Sequence, residues 1–254
     1  MYQADHPSFS VVTVVLRDLE GLKRTYASLA SQHCARWEWI VCDGGSGPET
    51  IQYLQALDGP VHWISQKDAG IYDAMNKGAA MSHNEYVVFM NAGDTFSDTV
   101  VLDDVSCMIV SSPSRPGIVF GAANIMFDNG RTYLRKPKLI EKYIWHGLPA
   151  NHQATYYRRE TLSVAPYDLT YKICGDYFLV ATLFAKNIIA EYSDKPLANF
   201  YAGGASFNED RHLFLEPYRI QRDILKIPLW IRCVSLLKRF VSTVGTRLIG
   251  KLRP

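Results

Sequence analysis

The chain has 254 residues, 48% of them hydrophobic, and its 27 Lys and Arg nearly balance 25 Asp and Glu for a net charge of +2. That is enough apolar material for one large α/β domain or two small ones, and it offers no bulk positive charge on which to argue for nucleic acid. The five cysteines (Cys34, Cys42, Cys107, Cys174, Cys233) are odd in number, scattered and without a C-x-x-C pair; they read as reduced cytosolic thiols, excluding a disulfide framework or a cysteine zinc site.

Met1 to Ser8 lacks a basic-then-apolar signal pattern, so no export is expected. Phe9 to Val15 is a nearly unbroken β-branched apolar run, the pattern of a strand buried on both faces, ended by Arg17-Asp18 and Gly21. Leu22 to Ser31 has helical spacing, Trp37 to Cys42 reads as a second strand, and Ser46-Gly47-Pro48-Glu49 starts a second helix with Ser46 as its N-cap. Further strands are expected at Val61 to Ser65, Tyr86 to Met90 and Ile118 to Gly121, with helices over Gly70 to Ser82 and Thr99 to Val110. Short strands alternating with helices imply a mostly parallel sheet flanked by helices, which binds its ligand at the carboxyl ends of the strands. Past Asn124 the pieces become longer and more polar: Thr132 to Lys138, a strand over Gln153 to Tyr157, a helix over Cys174 to Lys186, a strand near Ile188 to Tyr192, and a loop at Gly203-Gly204 with Ser206 and Asn208.

Three groups of residues carry candidate chemistry. Asp43 ends a strand before Gly44-Gly45, where its carboxylate can take hydrogen bonds from a nucleobase or ribose, or simply close an Asp-Gly turn. On the helix from Gly70, an apolar stripe of Ile71, Ala74, Met75, Gly78 and Ala79 leaves Tyr72, Asp73, Asn76 and Lys77 outside it. Asp73, Asn76 and Lys77 lie at i, i+3 and i+4, so they can all touch one ligand, with Asp68 at the helix entrance; a solvated Asp-Lys pair explains the same spacing. Asn91-Ala92-Gly93-Asp94 puts an amide and a carboxylate on one tight turn, suited to Mg²⁺ or Mn²⁺ or to ending a strand.

Asp176 falls in the first turn of its helix, where the helix dipole favours a carboxylate. It also shares the inward stripe with Leu179, Val180 and Leu183, which makes it a candidate general base. His152 and Gln153 are candidates to contact an acceptor or phosphate, although a lone histidine is more often structural. Trp230 to Ile249 winds as a helix with Trp230, Val234, Leu237, Phe240, Val241, Val244 and Leu248 on one face and Arg232, Ser235, Arg239, Ser242 and Thr246 on the other. That is the pattern of an interfacial helix on an anionic membrane, or of a helix packed on its own domain or a partner.

Taken in order, Val12-Thr13-Val14 with Arg17 to Gly21, Trp39 to Ser46, and Asp68 to Gly78 resemble the GT-A-fold, nucleotide-sugar-dependent inverting glycosyltransferases that build bacterial polysaccharides, in particular the colanic acid and exopolysaccharide branch. The resemblance covers roughly the first hundred residues and continues loosely through His152-Gln153-Ala154-Thr155 and Gly175-Asp176-Tyr177. It implies a GT-A domain over 1–208, with a nucleotide-sugar half (9–123) and an acceptor half (124–208), then a C-terminal helical, membrane-associating segment over 209–254. It further implies that Asp43 binds the base or ribose, that Asp94 stands at the last aspartate of the family's D-x-D metal motif, and that Asp176 is the catalytic base. Asn91 departs from that motif by supplying no first carboxylate, which gives Lys77 more weight in holding the diphosphate, and Leu16 stands where many relatives carry a base-stacking aromatic. The implied donor is a GDP- or UDP-sugar, the cofactor Mg²⁺ or Mn²⁺, and the acceptor a polyprenyl-diphosphate-linked glycan at the inner membrane surface. Two alternatives stay open: a non-catalytic nucleotide-sugar-binding partner of a polysaccharide assembly complex, and a sugar-1-phosphate nucleotidyltransferase.

Overall fold

A computed structural model describes residues 6–202 and 211–251, with side chains of the last helix as far as 241. The expected loop at Gly203-Gly204 lies outside the described residues, as do the side chains of Ser242, Val244, Thr246 and Leu248.

The chain runs β1 (Phe9–Val15), α1 (Leu19–Ala30), β2 (Trp37–Asp43), α2 (Pro48–Gln55), β3 (Val61–Ser65), α3 (Ile71–Met81), β4 (Tyr86–Phe89), β5 (Thr95–Phe96) and α4 (Val101–Ser111). It continues through β6 (Ile118–Met126), β7 (Thr132–Arg135), α5 (Ile140–Tyr143), a 3₁₀ turn (His152–Ala154), β8 (Thr155–Arg158), α6 (Arg159–Ser163), α7 (Gly175–Ala185), β9 (Ala190–Tyr201), α8 (His212–Asp223) and α9 (Leu229–Lys251). The strands form one sheet in the order β3-β2-β1-β4-β8-β6-β9-β5, with β7 paired to β6. The β3-β2-β1-β4 half is parallel throughout, and antiparallel β8 joins it to β6 and β9, which are parallel to each other.

Every residue of β1 is buried, because the strand is paired on both sides and covered on both faces. Its alternate residues serve two cores: Val12 and Val14 pack with Ile40, Met75 and Leu179 on one face, and Val11 and Val15 with Trp39, Leu22 and Val105 on the other. The chain leaves β1 for β2 on one side and reaches β4 on the other, so a switch point opens at the carboxyl end of β1. Residues 16–18, 43–46 and 91–94 gather there.

Several boundaries differ from the sequence expectation for physical reasons. Helix α1 starts at Leu19 and not Leu22, because the Asp18 side chain accepts the Gly21 N–H at 2.8 Å and caps it. Ser46 does not cap α2: the N-cap is Gly47, and the Ser46 hydroxyl instead donates to Asp43. Strand β9 runs on well past Tyr192, crossing a register shift opposite Gly121 and Ala122 that accommodates Ser193 to Pro196.

The stripe expected on α3 is also rotated. Tyr72 is buried with Ala74, Met75 and Gly78, while Ile71 is 43% exposed. Gly78 is required where α3 crosses β1, since a Cβ there would stand 2.3 Å from Val12 Cγ1. Helix α9 packs on the domain through its polar face. Its polar face packs inward, with Ser235 1% exposed and within hydrogen-bond distance of His146 Nδ1 (2.9 Å) and Gln221 Nε2 (2.8 Å). Its apolar face points out, leaving Trp230, Leu237 and Val241 each more than 60% exposed. Among the described residues no helix is long and apolar enough to cross a membrane.

Candidate active site

The ends of β1, β2 and β3 are knitted around Asp43. This carboxylate, 2% exposed, accepts the Ser65 hydroxyl at 2.6 Å, the Ser46 N–H at 3.0 Å and the Ser46 hydroxyl. The Ser46 oxygen in turn accepts the N–H of Arg17 at 2.7 Å, a residue in the left-handed region with φ of 56°. Asp68 lies against Gly44, where a Cβ would come within 2.8 Å of its Oδ2, and its other oxygen accepts the Gly70 N–H at 3.0 Å. Gly44 thus allows the two acidic loops to touch, and Leu16, 61% exposed, flanks the same glycine.

On α3 the three polar residues do not converge on one point. Asp73 and Lys77 pair at 2.8 Å, and this bond together with the Ala69 N–H holds the Asp73 carboxyl below its ordinary range. The Asn76 amide instead donates to the carbonyl of Tyr167 and accepts its N–H, both at 2.9 Å, tying α3 to the segment before α7. The expectation that all three contact a single ligand is corrected on that point: helical spacing gives a shared side, but two backbone groups from another element claim the middle residue.

Beside α3 lies a cavity of about 500 Å³ whose lining includes Tyr72, Asn91, His152, Gln153, Asp176 and Arg239. Asp176 projects from the first turn of α7, and its Oδ1 stands 3.2 Å from His152 Nδ1. Burial raises the Asp176 carboxyl above its ordinary pKa, against the opposing pull of His152. His152 is 5% exposed and stacks on Phe89 with ring centroids 5.4 Å apart. Tyr72 closes this corner: its hydroxyl donates to Ile173 O at 2.6 Å and its ring stacks on Tyr167 at 5.1 Å. Gly175 accommodates that ring, because a Cβ there would be 2.6 Å from Tyr72 Cζ.

Asp94 sits behind the cavity wall at 4% exposure. Its Oδ2 accepts Gln153 Nε2 at 2.7 Å and its Oδ1 accepts the Tyr201 N–H at 3.0 Å. Burial outweighs those two bonds and pushes its pKa up to about 7. Thr25 pins the turn by donating to Asp94 O at 2.7 Å while accepting the Gly93 N–H at 3.0 Å. Asn91 Oδ1 is buried at the cavity wall and has no hydrogen-bond partner among the described residues. Each Asp94 oxygen keeps a lone pair beyond the bond it accepts, the kind of donor a hard divalent cation would need, but the carboxylate is set back from the cavity that Asn91 lines.

The structure therefore brings Asp176, His152, Gln153 and Asn91 to one cavity, with Asp94 joined to it through Gln153. Asp43 and Asp68 form a neighbouring cluster at the β2 end. Sequence reasoning missed Arg135, which lines the cavity and donates to Leu148 O at 3.0 Å and Asn151 Oδ1 at 3.3 Å. Arg239, read only as part of the polar face of its helix, reaches the cavity wall and donates to His146 O. No local signal marks either arginine, since each is brought in by an element distant in the chain.

Residues 10–108 match the family described as Glycosyl transferase family 2. The chain is 33% identical over 175 residues to an uncharacterized glycosyltransferase of Mycobacterium tuberculosis (strain CDC 1551 / Oshkosh), the match covering 67% of this chain and 66% of that protein. A PGL/p-HBAD biosynthesis glycosyltransferase of Mycobacterium bovis (strain BCG / Pasteur 1173P2) is 26% identical over 243 residues, 92% of this chain and 90% of its own. Among solved structures, S. aureus TarS 1-349 in complex with UDP matches with a TM-score of 0.65 at 17% identity, over 84% of this chain and 64% of that one. The mannosyltransferase PcManGT from Pyrobaculum calidifontis in complex with GDP-Man and Mn²⁺ matches with a TM-score of 0.63 at 11% identity, over 98% and 82%. This chain thus spans just under two thirds of TarS 1-349 and of the M. tuberculosis relative, and at such low identity the two solved structures speak to the fold alone. The parallel half-sheet with its acidic strand ends has the GT-A-like fold, and residues 10–108 of the chain carry the match to glycosyltransferase family 2.

Proposed function

We propose that this protein is an inverting glycosyltransferase in which Asp176 deprotonates the acceptor hydroxyl. The observation that carries the reading is the placement of a buried carboxylate, raised in proton affinity and held 3.2 Å from His152, on the wall of a cavity shared with Asn91 and Gln153. As Asp176 takes the hydroxyl proton, the oxygen forms a bond to the anomeric carbon and the bond from that carbon to the nucleoside diphosphate breaks. A single displacement of this kind inverts the configuration. His152 stands beside the carboxylate, Gln153 links this wall to Asp94, and Arg135 and Lys77 supply positive charge toward the diphosphate. Asn91 and Asp94 are the residues that would hold Mg²⁺ or Mn²⁺, which when bound offsets charge on the leaving group.

The donor is a GDP- or UDP-sugar, bound over the Leu16, Asp43 and Asp68 cluster. UDP, UDP-GlcNAc and GDP-Man accompany the solved relatives and support this class. The acceptor is a polyprenyl-diphosphate-linked glycan, and the protein works at the cytoplasmic face of the membrane. The exposed apolar row on α9 supports that placement, because the polar face of the helix is already used to hold it to the domain. The motif resemblance supports a role in exopolysaccharide or colanic-acid-like synthesis, near the enzyme WcaE. Residues 1–208 are read as the transferase unit and 209–254 as its membrane-associating extension.

Asp176→Asn tests the mechanism. Transfer from a radiolabelled donor should fall by about 10²- to 10⁴-fold with donor affinity retained. Turnover within a few-fold of the parent would remove Asp176 as the base.

A further inference from the structure

At the opposite end of the sheet from the cavity, two histidines and a glutamate converge. Glu38 is the second residue of β2, five residues before Asp43 and so about 17 Å from it along the strand. Glu38 is 6% exposed, and its Oε1 is fully engaged, accepting the Ser10 hydroxyl at 2.5 Å, the His83 N–H at 2.7 Å and the Asn84 N–H at 3.2 Å. Oε2 is turned the other way, 3.2 Å from His83 Nδ1 and 3.6 Å from His62 Nε2. The three facing atoms all lie within 4.8 Å of one another.

We propose that Glu38, His62 and His83 form a binding site for a divalent metal ion of the zinc class, separate from the transfer cavity. Ligand bonds of about 2.0 to 2.2 Å in a tetrahedral site place neighbouring donor atoms roughly 3.3 to 3.5 Å apart. The two glutamate–histidine separations bracket that span, and the third edge closes by rotation of imidazoles whose side chains are 49% and 74% exposed. Two imidazole nitrogens and a carboxylate oxygen suit zinc and leave a fourth position for water. Ser10 and the two backbone N–H groups do the orienting work of an outer shell, fixing which carboxylate oxygen faces the ion. The ligands come from β2, β3 and the turn between α3 and β4, so one ion would tie three segments that are otherwise joined there by hydrogen bonds.

The test uses the full chain, freed of metal by chelation and titrated with Zn²⁺ by calorimetry without nucleotide. One saturable equivalent is expected, weakened by at least about tenfold in His62→Ala and in His83→Ala. Both side chains are largely exposed, so both variants should keep the metal-free melting temperature of the parent. Zn²⁺ should raise the melting temperature of the parent and leave the two variants unmoved. Asp94→Asn should bind Zn²⁺ as the parent does, which separates this ion from one at the donor site. No saturable binding, or binding unchanged in both histidine variants, would overturn the site and leave the cluster as an ion pair. Binding lost only in Asp94→Asn would place the ion in the transfer cavity instead.

Discussion

Gly175→Ala puts a methyl group where the ring of Tyr72 already lies: its Cβ would stand 2.6, 2.7 and 2.8 Å from Cζ, Cε2 and Cε1 of that ring. The ring cannot yield easily, because it is 6% exposed, stacked on Tyr167 at 5.1 Å and tethered to Ile173 O at 2.6 Å. Forcing a methyl into such a site costs about 1 to 3 kcal/mol. Removing a glycine from a helix interior returns roughly 1 kcal/mol at most, and less at the first residue of α7. The net expectation is a loss of about 1 to 2 kcal/mol, read by urea denaturation. Tyr72→Leu lacks all three ring atoms that clash, so in that background Gly175→Ala should be close to neutral. The two substitutions should therefore couple by about 1 kcal/mol or more in a double-mutant cycle. Because Asp176 is the next residue, a displaced helix start should also lower kcat, by up to about 10²-fold for a shift near 1 Å. An equal penalty in both backgrounds, or an alanine variant as stable as the parent, would refute the packing argument.

Further outcomes follow from the same geometry. The Asp94 carboxyl has its pKa raised from 3.8 to about 7, so the folded state holds a proton that the unfolded state releases. Stability from this group is therefore complete at acid pH and declines as pH rises from about 4 to 7; Asp94→Asn should flatten that slope in urea titrations, and an unchanged slope would contradict it. Ser65→Ala removes the 2.6 Å donor to buried Asp43 and should cost about 1.5 to 3 kcal/mol in thermal or urea unfolding; a loss below about 0.5 kcal/mol would mean that Ser46 satisfies the carboxylate alone. Leu237→Glu with Phe240→Glu, both on the exposed row of α9, should release the protein from anionic vesicles in a flotation assay without changing its fold, and equal flotation would remove the helix from the membrane argument.

The parallel half of the sheet was legible because each of its strands announces itself locally. Phe9 to Val15 and Val61 to Ser65 coincide with β1 and β3, and Trp37 and Tyr86 are the first residues of β2 and β4, since β-branched and aromatic runs bounded by turn residues need no distant partner to be recognised. Two-residue β5 and the far half of β9 were not legible. Thr95-Phe96 is too short to show a period, and Ser193-Asp194-Lys195-Pro196 reads as a turn until its pairing with β6 carries the strand through a bulge.

The candidate site divides in the same way. Asp43, Asn91, Asp94 and Asp176 each stand out in the chain because a polar residue ends an apolar strand or opens an apolar helix, and that signal is local. Tyr72, Asn76 and Arg239 do not. A helical wheel places each of them off the apolar stripe, and only the arrival of α7, the backbone of Tyr167 and the 146–147 turn gives them partners. Which residues can end an element was thus written in the order of the amino acids, through local sterics and hydrogen-bonding capacity. Which of those ends face one another was decided by the packed sheet, because contact between groups 59 and 101 positions apart, such as Asp94 with Gln153 or the Tyr72 hydroxyl with the Ile173 carbonyl, depends on how helices cross strands and leaves no trace in either neighbourhood alone.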